Sequence, residues 1–238
     1  MMRETLLDIY DRFWRHFGPQ HWWPGDTSLE IIVGAILTQS TNWANVAKAI
    51  VNLKQAHALT LPALSAMPDD ALASLIRPSG YYHAKTRKLR AFVDLVRHEY
   101  EGDLDRLLAL DTHFLRAVLL ATHGIGPETA DSIILYAANK PVFVIDAYTR
   151  RIMSRLGLCP AQGRYQELQD LFMSNLDPGE KLFDVKLFNE YHALFVHLGK
   201  TTCTKREPRC ASCPVGDICP TGRTAQLTRL ASEAANVV

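Results

Sequence analysis

The sequence has no run of apolar residues long enough to cross a membrane, although 47% of its 238 residues are hydrophobic. A spanning helix needs about 20 consecutive, mostly apolar residues. The N-terminal segment carries Glu4, Asp8 and Asp11, so it does not have the apolar core of a signal peptide. We therefore expect a cytoplasmic chain without a membrane partner.

The chain also lacks a marked net charge, since 26 Lys and Arg residues oppose 25 Asp and Glu residues. Binding to nucleic acid would therefore have to come from local patches. Two basic clusters are present, and the simpler interpretation of each is a solvated face. The first contains Arg77, Lys85, Arg87, Lys88 and Arg90, and the second contains Lys200, Lys205, Arg206, Arg209 and Arg223.

No stretch alternates apolar and polar residues as a half-buried strand does, so we expect an all-α protein. The segment LEIIVGAILTQ is apolar nearly all round, which predicts a central buried helix. Asp26, Thr27 or Ser28 can cap this helix, and Asn42 can cap the next one.

Cysteine is scarce, and four of the five cysteines lie close together near the C-terminus. The spacing of Cys203, Cys210, Cys213 and Cys219 is C-x6-C-x2-C-x5-C. In a cytosolic protein such a cluster indicates a metal site rather than disulfides, and four thiolates can bind zinc or a [4Fe–4S] cluster. Zinc sites of this size more often use two C-x2-C pairs, and one is present here. Cys159 stands apart as an ordinary thiol.

A turn with two glycines, Gly124-Ile125-Gly126, separates two helical patterns. Glycine lets a backbone approach a partner closely, and Pro127 suits the first position of a helix. Backbone N–H groups at a helix start favour a phosphate, with Ile125 packed between the two helices. An ordinary helix–turn–helix corner is the alternative.

One carboxylate, Asp146, follows the apolar run PVFVI and precedes AYTRRI. It should be partly desolvated, yet near a helix N-terminus, where an anion is stabilised. That combination suits a carboxylate that stays charged beside a developing cation. A simple N-cap explains the same spacing.

These motifs are similar to those of a known family. The segment HGIGPETADSIILYAANKPVFVIDAYTRR resembles the helix–hairpin–helix, followed by Gly/Pro and Asp, of the endonuclease III superfamily of DNA glycosylases. The resemblance extends from about Ser28 to Cys219. It implies base excision repair on double-stranded DNA that contains a damaged base, by a monomer associated with the nucleoid. Asp146 would stabilise the oxocarbenium-like sugar, activate a water, or both.

One position departs from part of the superfamily. Bifunctional members carry a Lys in the second helix of the hairpin, which forms a Schiff base and cuts the strand, and Glu128 stands at the matching position. A carboxylate cannot attack as an amine does. The resemblance therefore implies a monofunctional glycosylase with lyase activity absent or weak. Glu128 is either an acid or base in the site or a favourable charge in a first helical turn.

The cysteine spacing is similar to that of the C-terminal iron–sulfur loop of the endonuclease III and adenine-glycosylase branches. The resemblance implies a [4Fe–4S] cluster held by the four clustered cysteines. Its role would be to stiffen a loop whose basic residues, including Lys205 and Arg206, face DNA phosphates.

A glycosylase extrudes its target nucleotide and fills the gap. The positions used for filling in this superfamily correspond here to Gln39, a probe of the partner strand, and Tyr81, an intercalating wedge. A polar helix end and a core tyrosine are the respective alternatives.

The base pocket is expected to involve Trp22, Trp23, Trp43 and Lys200. Electron-rich rings bind a cationic, alkylated purine by stacking and cation–π attraction. The motifs WWP, LTQST, RPSGYY, GIGPETAD and HLGK resemble the 3-methyladenine DNA glycosylase III branch. The four-cysteine loop departs from that branch. The alternative for Trp43 is that its ring packs in the hydrophobic core.

The resemblance implies a two-lobed architecture. Residues 28–140 would form a six-helix barrel that ends in the helix–hairpin–helix. Residues 1–27 and 141–222 would form the iron–sulfur domain, followed by a tail at 223–238. Removal of oxidised pyrimidines is the competing activity, and a non-catalytic, metal-stabilised DNA-binding module is the competing class.

Overall fold

The computed structural model describes the backbone of residues 1–176 and 181–235 and the side chains of residues 1–176 and 185–228. Within these ranges the chain forms α-helices and no β-strand, which confirms the all-α prediction. None of the described helices is long and apolar enough to cross a membrane.

The α-helices are α1 (Met2–Phe17), α2 (Ser28–Leu37), α3 (Trp43–Gln55), α4 (Leu61–Ala66), α5 (Asp69–Ile76), α6 (Tyr82–Glu99), α7 (Leu104–Leu108), α8 (Thr112–Ala121), α9 (Pro127–Ser132), α10 (Ala147–Arg155), α11 (Tyr165–Leu176), α12 (Lys181–Thr201) and α13 (Pro220–Ala235). Short 3₁₀ turns lie at Arg77–Ser79 and Cys210–Ser212, and a π-helical segment, Ile133–Ala137, continues α9.

The chain divides into two compact units. We call Trp23–Val142 the hairpin unit, and Met1–Trp22 together with the chain from Phe143 onward the cysteine unit. The boundaries expected from sequence were residues 27–28 and 140–141. The segment expected as a tail from residue 223 begins inside α13.

Helix α2 is the centre of the hairpin unit, as its sequence predicts. Apart from Ile31, every residue from Leu29 to Leu37 is buried. Thr27 caps the helix, since its hydroxyl accepts the N–H of Glu30 at 3.2 Å. Asn42 likewise caps α3 by accepting the N–H of Asn45. The apolar surface of α2 is covered by α3, α6 and the π-helical segment.

Aromatic rings fill the core of the cysteine unit. Phe143 stacks on Phe172 with 3.9 Å between ring centroids, and Tyr191 stacks on Phe195 at 4.9 Å. The Tyr191 hydroxyl donates to the carbonyl of Leu6 at 2.8 Å. This buried bond joins α12 to α1 and satisfies a polar group that would be costly to bury alone.

Candidate active site

The hairpin turn, residues 122–126, connects α8 to α9. Gly124 has a φ of +81°, a conformation that strains any residue with a Cβ. A Cβ there would also lie 2.3 Å from Cγ of Lys88. Gly126 has an ordinary φ of −92°, and a Cβ on it would meet nothing within 4 Å. Gly124 is therefore required by the turn itself, whereas Gly126 leaves an open approach to the start of α9.

Ile125, between these glycines, is only 4% exposed and belongs to the hydrophobic core of the unit. This buried side chain holds the turn while Pro127 begins α9. A partly buried ion pair fixes the two helices further, since Arg116 Nε donates to Asp131 Oδ1 at 2.7 Å and Nη2 donates to Oδ2 at 3.2 Å. The hairpin is thus held rigidly. As in the first turn of any helix, backbone N–H groups at the start of α9 are expected to lack intrahelical acceptors.

Gln39 is bonded to the hairpin turn. Its Nε2 donates to the carbonyl of Gly124 and to the hydroxyl of Thr129, both at 3.0 Å. Its Oε1 accepts from Nζ of Lys88. To probe the partner strand of DNA, Gln39 would have to give up these bonds.

Glu128 lies in the first turn of α9 and is exposed. Its carbonyl accepts the hydroxyl of Ser132 at 2.7 Å. The position suits a favourable interaction between the carboxylate and the helix N-terminus.

Tyr81 is 74% exposed, which excludes the alternative of a core tyrosine. Its backbone is left-handed, with φ 46° and ψ 33°, although it is not a glycine. It directly precedes α6 and follows Gly80, whose φ is +70°. An exposed ring on such a backbone suits insertion into a partner.

The first basic cluster does not form one solvated face. Lys85 is 2% exposed, and Lys88 contacts Gln39. Arg90 pairs with Asp69 and donates to the carbonyls of Leu64 and Met67. These side chains support loops of the hairpin unit, which the charge pattern alone did not reveal.

Two of the three tryptophans expected in the base pocket pack together. Within the hairpin unit, Trp23 meets Trp43 edge-on at 5.2 Å and Tyr136 at the same centroid distance. Both tryptophans pack against the hydrophobic core. Gly34 makes room for this pair, because a Cβ on it would lie 3.2 Å from the Trp23 ring.

Trp22 belongs to the cysteine unit, where Nζ of Lys200 lies 5.5 Å from the centre of its ring. Partial burial lowers the pKa of Lys200, and the charge of Asp146 acts in the opposite direction. Trp22, Lys200 and Asp146 therefore belong to one neighbourhood of the cysteine unit. The sequence grouped Trp22 with Trp23, but the two rings have different surroundings.

Asp146 caps α10, and its side chain is 11% exposed. Oδ1 accepts the N–H of Thr149 at 2.7 Å. Oδ2 lies 3.8 Å from Nε2 of His192, a buried residue of α12. The carboxylate is thus a true N-cap and also part of a buried polar group, so the two interpretations from sequence do not exclude each other.

His192 was not identified from the sequence. Burial lowers its pKa, the charge of Asp146 raises it to a lesser degree, and Lys200 lowers it further. A histidine inside the apolar run YHALFV is an available signal. That signal does not show which of the distant side chains the imidazole meets.

The four clustered cysteines line one pocket. Its walls also include Arg155, Leu156, Leu198 and Val215. Arg155 donates to Sγ of Cys203 at 3.1 Å, and to the carbonyls of Thr204 and Lys205. Burial raises the pKa of Cys213 to about 11; a backbone hydrogen bond at Val215 opposes this shift, and the other three thiols add to it.

Burial, followed by the charges of Cys219 and Cys203, also raises the pKa of Cys210, and a cationic metal centre would bind such thiols as thiolates. In the described part of the chain, however, no three Cys, His, Asp or Glu side chains stand in an arrangement that could hold a metal ion. The loop between Cys203 and Cys210 carries Lys205 and Arg206, and both are exposed.

Comparison with known proteins agrees with the motifs. The sequence pattern of the HhH-GPD superfamily base excision DNA repair proteins matches residues 33–178. The chain belongs to this superfamily. The match includes Gln39, Tyr81, the hairpin and Asp146, but ends before the cysteine cluster.

Relatives of this HhH-GPD protein have repair-related names. A protein of Methanocaldococcus jannaschii, provisionally named a DNA repair glycosylase, is 40% identical over 91% of this chain and 96% of its own. An endonuclease III of Sulfolobus acidocaldarius is 30% identical over 63% of this chain and 62% of its own.

Solved structures share the fold. A 3-methyladenine DNA glycosylase of H. pylori, bound to 1,N6-ethenoadenine, is 26% identical with a TM-score of 0.72, over 84% of this chain and 97% of that one. A non-covalent endonuclease III–DNA complex has a TM-score of 0.80 at 22% identity, over 95% of this chain and 99% of that one. The second likeness shows the fold alone.

Proposed function

We propose that this HhH-GPD protein is a monofunctional DNA glycosylase that hydrolyses the N-glycosidic bond of an alkylated purine in duplex DNA. The observation that carries the proposal is the setting of Asp146. Its carboxylate is nearly buried at a helix N-terminus, with Oδ1 held by Thr149 and Oδ2 facing His192. A fixed, desolvated anion interacts strongly with a cation that develops in the transition state.

The chemistry assigned to Asp146 is hydrolysis without a covalent intermediate. As the bond between the sugar and the base breaks, its electron pair leaves with the base and positive charge develops on the sugar. The carboxylate stabilises that charge, accepts a proton from the attacking water, or does both. A purine alkylated on a ring nitrogen departs as a neutral base, so less acid catalysis is required.

Trp22 is the tryptophan that we assign to base recognition. Trp23 and Trp43 contact each other and the core of the hairpin unit, whereas Trp22 contacts Lys200 near Asp146. An indole face attracts a cationic ring by about 0.5–2 kcal/mol. Because Lys200 lies over one face, the flipped base would stack on the other.

Glu128 supports the monofunctional assignment. It occupies the first turn of α9, where a Schiff base would require an amine. The side chain is exposed and stands where the N-terminus of a helix favours an anion. We therefore assign it an electrostatic role in the hairpin rather than a chemical step.

We assign a [4Fe–4S] cluster to the pocket lined by Cys203, Cys210, Cys213 and Cys219. The cluster would bind these residues as thiolates and stiffen the loop that carries Lys205 and Arg206. Arg155 supports the same loop through carbonyl oxygens at 2.7 and 3.0 Å. The purified protein should be brown and contain about four iron atoms per chain.

The likeness to the H. pylori 3-methyladenine DNA glycosylase supports an alkylated purine as the substrate of this chain. Removal of oxidised pyrimidines is the competing activity expected from the resemblance to the endonuclease III branch. A lesion panel distinguishes them. Duplexes that contain N3-methyladenine, N7-methylguanine, hypoxanthine or thymine glycol would be compared under single-turnover conditions. We expect the fastest release of N3-methyladenine, without strand cleavage.

Release of thymine glycol alone, with strand cleavage, would instead assign the protein to the oxidised-pyrimidine activity. Binding to every duplex without release of any base would indicate a DNA-binding module. An inactive preparation is informative only if iron content and thermal unfolding show that the protein is folded and loaded, so both are measured on the same sample.

A further inference from the structure

Lys85 is a buried lysine that the proposed chemistry does not use. It lies in the second turn of α6 and is 2% exposed. Its Nζ donates to the carbonyl of Ser79 at 2.6 Å and to the carbonyl of Leu37 at 2.9 Å. Among the described residues, no Asp or Glu forms an ion pair with it. Burial, followed by the charge of Lys88, lowers the pKa of Lys85 to about 8.

The two carbonyls lie at the C-terminal ends of two different helical elements. Leu37 is the last residue of α2, where helical carbonyls lack intrahelical partners. Ser79 ends the 3₁₀ turn Arg77–Ser79, and its hydroxyl donates back to Ile76 at 2.7 Å. One ammonium group therefore joins the end of α2 to the turn that immediately precedes Gly80 and Tyr81.

Tyr81 is the residue that most needs such a support. A non-glycine residue in the left-handed region is strained and persists only where its surroundings impose it. On the N-terminal side of Tyr81, the side chain of Lys85 fixes the carbonyl of Ser79. On its C-terminal side, the backbone N–H of Lys85 donates to the carbonyl of Tyr81 at 3.0 Å. The same residue thus holds the chain on both sides of the exposed ring.

A lysine is an expensive choice for a purely structural role. Its burial removes a charge from water, and an apolar side chain of similar volume often packs as well or better. Methionine would fill the same space but would leave two buried carbonyls without a donor. The free-energy cost of burying the ammonium group is explained if the role of Lys85 is to hold those two carbonyls in place rather than to fill space.

We infer that Lys85 is a positioning residue that sets the exposed, left-handed conformation of Tyr81 by fixing the carbonyls of Ser79 and Leu37. The use of that conformation as a wedge in DNA rests on the proposed function. Lys85 itself does not touch DNA, because it is buried beneath the loop that it holds.

The first test needs no DNA. Hydrogen exchange of the segment 77–84 would be compared in the wild type, Lys85→Met and Lys85→Gln, with Lys48→Met as control. Lys48 is an exposed lysine of the same unit, so it controls for loss of charge. We expect roughly tenfold faster exchange in Lys85→Met and a smaller increase in Lys85→Gln. Exchange in the hairpin, residues 119–137, should stay unchanged, and unaltered exchange at 77–84 would overturn the inference.

The second test is a double-mutant cycle on DNA binding. The quantity measured is the ratio of Kd for undamaged duplex to Kd for a duplex with a tetrahydrofuran abasic analogue. Tyr81→Ala should reduce this ratio roughly tenfold, the loss of one stacking contact. Lys85→Met should reduce this Kd ratio severalfold in the wild-type background and should not reduce it further in the Tyr81→Ala background.

The possible failures have different meanings. Additive losses in the cycle would overturn the inference, because Lys85 would then act on DNA independently of Tyr81. If Tyr81→Ala keeps full discrimination while Lys85→Met accelerates exchange at 77–84, the wedge role that the family resemblance implies for Tyr81 is wrong and the role of Lys85 in the loop is supported. Lys85→Gln preserves the test if Lys85→Met does not fold.

Discussion

Nε2 of His192 lies 3.8 Å from Oδ2 of Asp146, while the other carboxylate oxygen accepts the N–H of Thr149. The start of α10 therefore fixes one carboxylate oxygen, and a buried imidazole of α12 lies near the other. Asp146 therefore has two properties, its role as a helix cap and its negative charge. A substitution that keeps the first and removes the second can test them independently.

Asp146→Asn should abolish base release while preserving the fold. The Asn side chain keeps an oxygen that can accept the N–H of Thr149, so the cap is retained. The negative charge that would face the developing sugar cation is lost, and we expect the single-turnover rate to fall at least about 100-fold. Thermal unfolding and Kd for abasic duplex are measured alongside, and both should stay close to wild type. A variant that released bases at the wild-type rate would rule out the mechanism.

The buried His192 predicts how stability responds to acid. Burial lowers its pKa below the usual value of about 6.5, so in the window just below that value the unfolded chain binds more protons than the folded one. The free energy of unfolding should therefore fall as the pH drops below about 6.5 and recover above it. His192→Asn should flatten this dependence in urea unfolding measured from about pH 5 to about pH 8.

His197 provides the matched control for that experiment. It also lies in α12, and burial lowers its pKa as well, but its other influences are Lys200 and His16 rather than Asp146. His197→Asn should remove part of the acid dependence and leave base release intact. If His192→Asn retained the full wild-type slope, the imidazole would not be buried in its neutral form.

Much of the fold follows from local sequence, because helix burial and helix caps are local properties. The nearly continuous apolar run of α2 fixes its central place, Asn42 caps α3 as predicted, and Thr27 is the one of the three candidates that caps α2. The approach of His192 to Asp146 could not be predicted in this way. It joins residues on two helices far apart in the chain, and neither local pattern specifies the other.

The first basic cluster shows the same limit for charge. Sequence spacing shows five cations but not their partners, and the partners decide their role. Lys85 meets carbonyls, Lys88 meets Gln39, and Arg90 meets Asp69. Backbone carbonyls carry no sequence signal, so a buried structural lysine looks like a DNA-binding one until the fold is known.

Glu128 predicts that the enzyme forms no covalent adduct with DNA. A Schiff base requires an amine, and borohydride would trap it as a stable enzyme–DNA product. We expect no such product on a duplex from which the wild-type protein releases the base. Glu128→Gln should change the rate of release by less than about fivefold, since its role is electrostatic. A trapped adduct would show that another lysine supplies the amine and that the enzyme is bifunctional.

The ion pair between Arg116 and Asp131 should contribute strongly to the stability of the hairpin. Asp131 is fully buried and Arg116 is 25% exposed, so Asp131→Asn removes the buried charge that the guanidinium faces. We expect the free energy of unfolding in urea to fall by about 3–5 kcal/mol. Asp11→Asn is the control, because the Asp11–Arg15 pair is exposed on α1 and should contribute little. Equal losses for the two variants would contradict the assignment.

The two glycines of the hairpin turn should respond differently to alanine. Gly124→Ala places a Cβ on a residue with positive φ and against Lys88, so it should cost about 1–2 kcal/mol of stability. Gly126→Ala meets neither obstacle and should unfold like the wild type. Its methyl group, however, would stand at the start of α9, where a DNA phosphate is expected to approach the backbone. We therefore expect Gly126→Ala to raise Kd for abasic duplex about tenfold without changing thermal unfolding. Wild-type affinity in this variant would show that the turn does not bring its backbone to the phosphate, and the hairpin would then be a structural corner.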